Sequence, residues 1–312
     1  MTKLTKSAFT IAGVLILSLA AHASPQGLGV ATAYNVVTFG YFDDTSDVGG
    51  RVAVGGELQS YVLDGTNNEY LNFASASVFT DLAQGNGNFS VTENNGGNVY
   101  VSSIGTGSIQ IQNGSGTILT GTNPLSFSSM QTTLTGLSTY LSSLPSIGGT
   151  VTVDSNGRYT LTANSSITVF NLTASQFSNL TAINTNGNTV TVNVSGTSIT
   201  YNSGNNFTVD GVQATAGSSA ASKILFNFGN AVSLNLQGSL DGVILATEAT
   251  LTGNTQLNGQ VFVDNLDYSG EIHGTPFNGT IPSPVPEPST LALMGSGLVG
   301  CMWKLKRRIL HS

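Results

Sequence analysis

The residues of this chain that could perform chemistry are few. His273 is the one histidine between the two terminal segments, and the single cysteine, Cys301, lies in the C-terminal segment. A site with two histidine ligands or a cysteine nucleophile therefore cannot be assembled in the body of the chain. A Ser-His-Asp triad would have to use His273, but no Gly-x-Ser-x-Gly turn follows a predicted strand. We expect His273 to be structural and the protein not to be an enzyme.

The other candidates are carboxylates. Asp43, Asp44 and Asp47 lie close together in a turn-rich segment. Such acids can act as the acid and base of a glycosidase, or they can bind Ca²⁺ through oxygen. Their spacing matches neither an EF-hand nor a repeated calcium-binding pattern, so they are weak metal candidates and are expected to be solvated loop acids. No cofactor is predicted, and calcium is the one metal that these acids leave open.

Charge restricts the partners. The body keeps only three basic residues, Arg51, Arg158 and Lys223, because the other six lie near the termini. Set against all sixteen acidic residues, Glu287 included, these three give a net charge of 3 − 16 = −13. Because phosphate backbones and anionic lipids are bound through Lys and Arg, nucleic-acid binding is excluded and anionic membranes are repelled. Solubility supplied by Ser, Thr, Asn and Gly is typical of extracellular β-structure.

The elements that must position these residues are predicted to be short strands. Runs of β-branched residues with alternating side chains recur along the body, and each is bounded by Gly or Asn. An all-β body with one long helix follows. The runs are residues 51–54, 98–101, 108–111, 150–153, 189–194, 243–246 and 260–263.

A repeat organises some of these runs. Segments 240–246 and 257–263 match residue by residue at a separation of 17, and the same pattern returns at 48–54. Each copy has Gly at the same place, where a corner with positive φ suits it. Repetition at this length predicts a β-solenoid, in which each repeat forms one coil and alternate Val and Ile side chains stack inside. A β-sandwich with Gly-rich turns is the alternative, and the handedness of the coil stays open.

One segment breaks the strand pattern. Between about residues 123 and 144 large apolar residues recur every three or four positions, which predicts one amphipathic helix. Asn123 is expected to cap this helix, Pro124 to occupy its first turn and Pro145 to end it. We expect it to pack along the side of the solenoid, with a coiled-coil dimer as the alternative. Its apolar positions are Phe127, Met130, Leu134, Leu137, Leu141 and Leu144.

The C-terminal segment, residues 283–312, has the composition of a sorting signal. A Pro-rich motif precedes an apolar run at 291–303 and a basic end, which stays on the cytoplasmic side of a membrane and leaves the body outside. As a transmembrane helix the run would rise only about 20 Å, against a hydrocarbon core of about 30 Å, so the anchoring it predicts is transient. The motif residues are Val285, Pro286, Glu287 and Pro288.

This arrangement resembles the PEP-CTERM tail of exported proteins of Gram-negative bacteria. The resemblance implies processing at or near the motif by a membrane-embedded exosortase. The N-terminus agrees with export, because residues 1–23 have the charged start, apolar stretch and small-residue end of a signal peptide. Ala21 and Ala23 are the residues that signal peptidase would read, and cleavage is expected before Ser24.

The intervening body, residues 24–282, resembles the choice-of-anchor A family of bacterial surface domains. The resemblance lies in residues 34–40, the Gly-Gly-Arg-Val-Ala-Val-Gly-Gly block at 49–56, the predicted helix, and the segments 240–246 and 258–277. The family implies a β-solenoid with a lateral helix, located at the cell surface or in the extracellular matrix. It implies no established reaction.

Three functions are open at this point. The first is a structural or adhesive protein of the surface or matrix, associated with exopolysaccharide or a neighbouring cell. The second is a polysaccharide-acting β-helix enzyme, for which three basic residues make a lyase base hard to place. The third is an ice-binding protein, indicated by Thr-x-Thr pairs at 150–152, 189–191 and 250–252. Because these pairs do not recur at a constant period, and extended β-faces select Thr in any case, a regular Thr array is not expected.

Overall fold

The computed structural model describes residues 27–44, 46–58, 70–73, 78–83, 90–94, 99–101, 108–112, 117–120, 125–202 and 206–282. Within these ranges lie the helices α1 (Phe127–Ser143) and α2 (Ala174–Ser178), and 3-10 helices at Gly29–Ala33, Ala214–Ala216 and Ser219–Lys223. The strands are β1 (Val36–Thr38), β2 (Phe42–Asp44), β3 (Asp47–Val48), β4 (Val52–Leu58), β5 (Tyr70–Phe73), β6 (Val78–Ala83), β7 (Ser90–Asn94), β8 (Val99–Val101), β9 (Ser108–Gln112), β10 (Ile118–Thr120), β11 (Gly149–Val153), β12 (Tyr159–Ala163), β13 (Ile167–Thr173), β14 (Leu180–Asn184), β15 (Thr189–Ser195), β16 (Ser198–Tyr201), β17 (Thr208–Val209), β18 (Val212–Gln213), β19 (Ile224–Asn227), β20 (Ser233–Leu236), β21 (Leu240–Asp241), β22 (Val243–Gly253), β23 (Leu257–Asn258), β24 (Val261–Tyr268) and β25 (Ile272–His273).

The main sheet is built from parallel strands in the order β10-β8-β6-β4-β1-β24-β22-β19-β15-β13, with β16, β20 and β2 joined beside this path. Strand β1 lies in its middle, because Val36 pairs with Val261 on one side and with Val52 on the other. The chain therefore starts at the centre of the sheet and builds one half outwards to β10. It then crosses to β13 and builds the other half back to β24.

Two further sheets complete the β-structure. The second sheet, β21-β23-β25-β3-β5-β7-β9, is also parallel, whereas the third, β11-β12-β14-β17-β18, is antiparallel at its two ends. The described body is mostly β with few helices, as the alternating runs predict. Its parallel sheets differ from the antiparallel sheets that the sandwich alternative requires.

The predicted strands and the predicted register are confirmed. Each of the seven alternating runs contains a strand. Leu240 pairs with Leu257 across β21 and β23, and Ile244 pairs with Val261 across β22 and β24, so the segments that match in sequence lie side by side in parallel. The third copy of the pattern is separated from them in the main sheet by β1, which occupies the place between β24 and β4.

Helix α1 connects the two ends of the main sheet. The ten strands from β10 to β13, about 4.8 Å apart, span about 43 Å. A helix of 17 residues is about 25 Å long, so α1 covers more than half of the distance between the two ends. The helix begins after Ser126, so Ser126 occupies the N-cap position and the prediction of Asn123 was wrong. The buried stripe of the helix starts only at Phe127, which packs on Gly55. Residues 123 and 124 lie outside the described ranges. Pro145 follows the C-cap, Leu144, as predicted.

Two apolar cores lie on the two faces of the main sheet. The larger one fills the space enclosed by the sheets and includes a cluster of rings, Phe177, Tyr201 and Phe226 among them. The smaller one lies between the sheet and α1, where Leu245 and Phe262 meet the helix. Five of the six predicted stripe residues are buried there, and Leu144 is half-buried. The helix is therefore packed along the sheet, as expected.

A polar ladder accompanies the apolar contact between the helix and the sheet. Asn171, Asn193 and Asn227 pair in register on β13, β15 and β19. The Asn193 amide donates to the Leu141 carbonyl (2.7 Å), and the Asn227 amide donates to the Ser138 carbonyl (3.0 Å). These amides bind carbonyls in the last turns of α1 and tie the helix to the sheet, and the Leu141 carbonyl also accepts from the Leu144 N–H (3.1 Å).

Candidate binding face

An outward face of the main sheet carries two straight rows of polar side chains. The strands that form it are β16, β20, the second half of β22, the second half of β24, and β2. Every strand but β2 contributes one side chain to each row, and β2 extends the second row. We call this surface the ladder face. Its first row is Ser198, Ser233, Thr250 and Asn265, and its second row is Thr200, Asn235, Thr252, Asp267 and Asp43.

The spacing of the rows follows from strand geometry. Neighbouring members of one row are about 4.8 Å apart, and the two rows are about 6.7 Å apart along each strand. The residues between the rows point inwards and are almost fully buried: Ile199, Leu234, Leu251, Leu266 and Phe42. This apolar layer fixes the strands from beneath, so the ladder face presents hydroxyl, amide and carboxylate groups at regular intervals across neighbouring strands.

The acidic end of the ladder face lies at β2 and β24. Burial raises the pKa of Tyr41, the carboxylates of Asp267 and Asp43 raise it further, and a hydrogen bond with Thr250 opposes them. Burial also raises the pKa of Asp264, with a smaller contribution from the charge of Glu248. Repulsion between like charges is therefore concentrated at this end, whereas the end at β16 and β20 is neutral.

The expectation that Asp43 and Asp44 are solvated loop acids is wrong. Both residues lie on β2 and are only 8% and 1% exposed. Pairing with β24 causes this burial, because Asp43 lies beside Asp267 and Asp44 beside Tyr268. Asp47 lies on the short strand β3. In the described parts of the chain no group of three or more His, Cys, Asp and Glu residues could hold a metal ion.

The three Thr-x-Thr pairs do not share one surface. The pair at 150–152 lies on the exposed strand β11, and Thr189 and Thr191 on β15 are buried. Only Thr250 and Thr252 belong to the ladder face, where Ser, Asn and Asp occupy the equivalent places on neighbouring strands. An all-Thr array is absent among the described strands, as expected, but a regular array of mixed polar residues is present.

His273 belongs to a row of stacked residues that is separate from the ladder face and lies at the corners of the second sheet. Asp241, Asn258 and His273 pair in register on β21, β23 and β25. His273 Nδ1 lies 3.0 Å from Asn258 Oδ1, and its Nε2 lies 3.0 Å from Glu271 Oε2. The Asn258 amide donates to Asp241, whose other oxygen accepts from the Ser218 N–H (2.8 Å). The bonds between Asp241, Asn258 and His273 join neighbouring strands of the second sheet.

The buried end of this row is a perturbed carboxyl group. Asp241 is fully buried. Burial raises its pKa to about 6, although the hydrogen bonds from Asn258 and Ser218 act in the opposite direction. The 17-residue repeat could have revealed this row, because it aligns Asp241 with Asn258.

The sorting and processing residues predicted from the sequence lie outside the described residues. These are Ala21, Ala23, Ser24, Val285, Pro286, Glu287 and Pro288. The predicted transmembrane segment at 291–303 lies there too. Among the helices that the structure describes, none has the length and apolar character needed to cross a membrane.

Comparison with protein families gives two matches. Residues 27–274 match the family described as "Putative Ice-binding-like adhesive domain", and residues 284–308 match the PEP-CTERM protein-sorting motif. A comparison with curated proteins found no match.

Ice-binding proteins are among the solved structures that match this chain. A glycosylated ice-binding protein from Arctic yeast is 13% identical, with a TM-score of 0.37, over 84% of this chain and 95% of that one. An ice-binding protein from an Antarctic Biological Consortium is 13% identical, with a TM-score of 0.35, over 88% and 95%. One from the ascomycete Antarctomyces psychrotrophicus is 12% identical, with a TM-score of 0.30, over 80% and 97%.

Proposed function

Because the chain belongs to the ice-binding-like adhesive domain family, we propose that it is a non-catalytic adhesive protein that binds an extended, repetitive surface through its ladder face. The PEP-CTERM motif makes it an exported protein of the cell surface or the extracellular space, sorted by an exosortase. The regular polar grid of the ladder face, which is exposed at Ser198, Thr200 and Ser233, is the observation that carries the proposal.

The proposed partner is exopolysaccharide or the surface of a neighbouring cell. A polysaccharide presents hydroxyl groups at repeated intervals, and Ser, Thr and Asn can each donate to and accept from such groups. Single contacts of this kind contribute little, but many of them on one rigid face add up without a large entropic cost. The neutral end of the face, around Ser198 and Ser233, suits an acidic polymer better than the end at Asp267.

We infer that the parallel sheets are the sides of a β-solenoid of the choice-of-anchor A kind, since the matching segments lie in register in both the main and the second sheet. We also infer that the body does not catalyse. Support comes from His273, whose hydrogen bonds to Asn258 and Glu271 give it a structural role.

Ice binding is a second candidate function, and the regularity of the ladder face favours it. Flat rows of hydroxyl and amide groups at two fixed spacings could order water molecules at matching intervals. The uneven sequence positions of the rows, 198, 233, 250 and 265, do not prevent this, because strand register aligns them.

The test uses a bulky substitution within the ladder face. Thr252→Tyr should reduce adsorption of the exported protein to exopolysaccharide by about tenfold, because a ring standing above the grid prevents flat contact. Thr215→Tyr, at an exposed threonine of the 3-10 helix Ala214–Ala216, should have no effect. Adsorption is measured by co-sedimentation, and ice binding by thermal hysteresis with the same two variants.

The outcomes separate the candidates. Loss of polysaccharide adsorption in Thr252→Tyr alone supports adhesion, whereas loss of thermal hysteresis in that variant alone supports ice binding. Equal behaviour of the two variants in both assays would reject the ladder face as the binding surface. Cleavage of a polysaccharide that Asp43→Asn abolishes would reject the non-catalytic proposal.

A further inference from the structure

Strand β11 closes one end of the stack of parallel strands. Residues 144–153 run antiparallel to the terminal strands: Ile147 exchanges backbone hydrogen bonds with Val169 of β13, and Gly149 to Val153 pair with β12. The Ser146 hydroxyl accepts from the Asn171 N–H (3.0 Å). The outer edges of β12 and β13 are thereby covered, and β11 becomes the last strand of the third sheet.

The direction of the β11 backbone groups follows from two hydrogen bonds at its ends. The Asn164 N–H donates to the Gly148 carbonyl (2.8 Å), and the Asp154 N–H donates to the Arg158 carbonyl (3.0 Å). In an antiparallel pair, hydrogen-bonded positions alternate with non-bonded ones. The backbone N–H and C=O groups of Thr150 and Thr152 therefore point towards β12. Those of residues 149, 151 and 153 point away from the body.

The side chains of β11 leave this edge open. All five residues of the strand are exposed, with Val151 at 44% and Val153 at 53%. Natural sheet edges are usually protected by a charged side chain, a proline or a bulge. The sequence Gly-Thr-Val-Thr-Val has no charge and no proline, and its register with β12 is continuous. β11 is therefore suited to pair with another strand.

We propose that β11 pairs with β11 of a second copy of this chain, antiparallel and around a two-fold axis at Val151. In this register Val151 lies opposite Val151 of the second copy, and Thr150 lies opposite Thr152. Threonine pairs and β-branched pairs at directly opposed positions stabilise antiparallel strands. Because the Val151 backbone groups point outwards, the two copies exchange N–H···O bonds at the axis.

Charge does not oppose a second copy in this position. Residues 24–282 contain three basic and fifteen acidic residues, a net charge of 3 − 15 = −12, and such a body repels its own copies at most orientations. The nearest acid to the proposed contact, Asp154, would lie opposite Gly148 of the second copy and not opposite another carboxylate. The same patch is used by both copies, so the contact closes as a dimer and does not propagate into a fibre. This contact is separate from the ladder face and does not depend on the function proposed for it.

Cysteine cross-linking tests the register directly. Opposed residues of a hydrogen-bonded antiparallel pair have Cα atoms about 5.5 Å apart, which is within the range of a disulfide. The full chain with Cys301→Ser and Val151→Cys contains one cysteine, and on mild oxidation it should give about tenfold more disulfide dimer than the matched control Val212→Cys. Val212 is a fair control because it lies on β18, the other edge of the same sheet, and is 41% exposed.

A second pair of variants tests the contact without cysteine. Thr150→Lys combined with Thr152→Lys places lysines directly opposite each other across the axis, and should lower the dimer fraction in sedimentation about tenfold. Thermal unfolding checks that the monomer keeps its fold. The proposal is overturned if Val151→Cys cross-links no more than Val212→Cys, or if the double lysine variant remains as dimeric as the unmodified chain.

Discussion

At the scale of single residues, Asp241 couples folding to pH. Its carboxyl group is buried and accepts from Asn258 and Ser218, and burial raises its pKa from 3.8 to about 6. A carboxyl with a raised pKa binds its proton more tightly in the folded chain than in the unfolded chain. Its contribution to stability is therefore fully present below pH 4 and is lost as the pH rises through 6.

This coupling gives a first prediction. The quantity of interest is the melting temperature of the unmodified protein minus that of Asp241→Asn, whose side chain does not titrate. This difference should be larger at pH 4 than at pH 7. Asp154→Asn is the matched control, because a backbone hydrogen bond from Arg158 lowers the pKa of Asp154 and its contribution is lost only below about pH 4, so its difference should be nearly the same at pH 4 and pH 7. Calorimetry at the two pH values measures both differences. An unchanged difference for Asp241→Asn would show that this group does not titrate in the fold.

Among the residue-level expectations from the sequence, the one for Asp43 and Asp44 was wrong, whereas the structural role of His273 stays a prediction. The repeat that ends in Glu-Ile-His-Gly places His273 at a corner, which local sequence can reveal. The burial of Asp43 depends on β24, a strand more than 200 positions away. No pattern within residues 41–47 carries that information.

At the scale of elements, helix α1 is held by its apolar stripe. Leu134, Leu137 and Leu141 are fully buried against the main sheet. The amides of Asn193 and Asn227 donate to carbonyls in the last turns of the helix. Gly136 lies on the opposite side, where an added Cβ would have no atom within 4 Å. Neighbouring positions of one helix thus have opposite environments.

These environments give a second prediction. Leu137→Ala should lower the free energy of unfolding by about 2–5 kcal/mol, because it leaves a cavity beneath the helix. Gly136→Ala should raise it by about 0.5–1 kcal/mol, because alanine is the better helix former and meets nothing. Denaturant unfolding of the monomer measures both. Nearly unchanged stability of Leu137→Ala would instead support a stripe reserved for a coiled-coil dimer.

Seven of the 25 described strands and helix α1 were predicted from the sequence, but the alignment of strands was predicted only for the 17-residue repeat. The seven alternating runs and the helical stripe are local signals, and all of them are found in the structure. The ladder face was missed because unequal loops separate its strands, so Ser198, Ser233 and Thr250 show no constant period. Helix α2 was missed as well, since its one signal is the short capping box of Thr173 and Gln176.

At the scale of the whole molecule, residues 284–308 match a sorting motif, and we expect the mature protein to lose this segment and the N-terminal residues. The third prediction is that the extracellular protein lacks residues 1–23 and 304–312. Pro286→Ala combined with Pro288→Ala should leave the C-terminal peptide attached, because the motif that exosortase reads is removed. Pro282→Ala, outside the matched motif, should be processed normally. Mass spectrometry of the secreted and membrane fractions checks this, and an intact 304–312 peptide on most of the extracellular protein would contradict it.

The central position of β1 has a consequence for the route by which the body is made. The Gln260 amide donates to the Thr32 carbonyl, 228 residues away along the chain, and Val36 lies between β24 and β4. A chain that is exported from its N-terminus exposes β1 and β4 first, and β24, which must flank β1, follows near the end of export. Contacts of such long sequence separation form late and slowly. We therefore expect closure of the body to wait for β24, and so to come near the end of export.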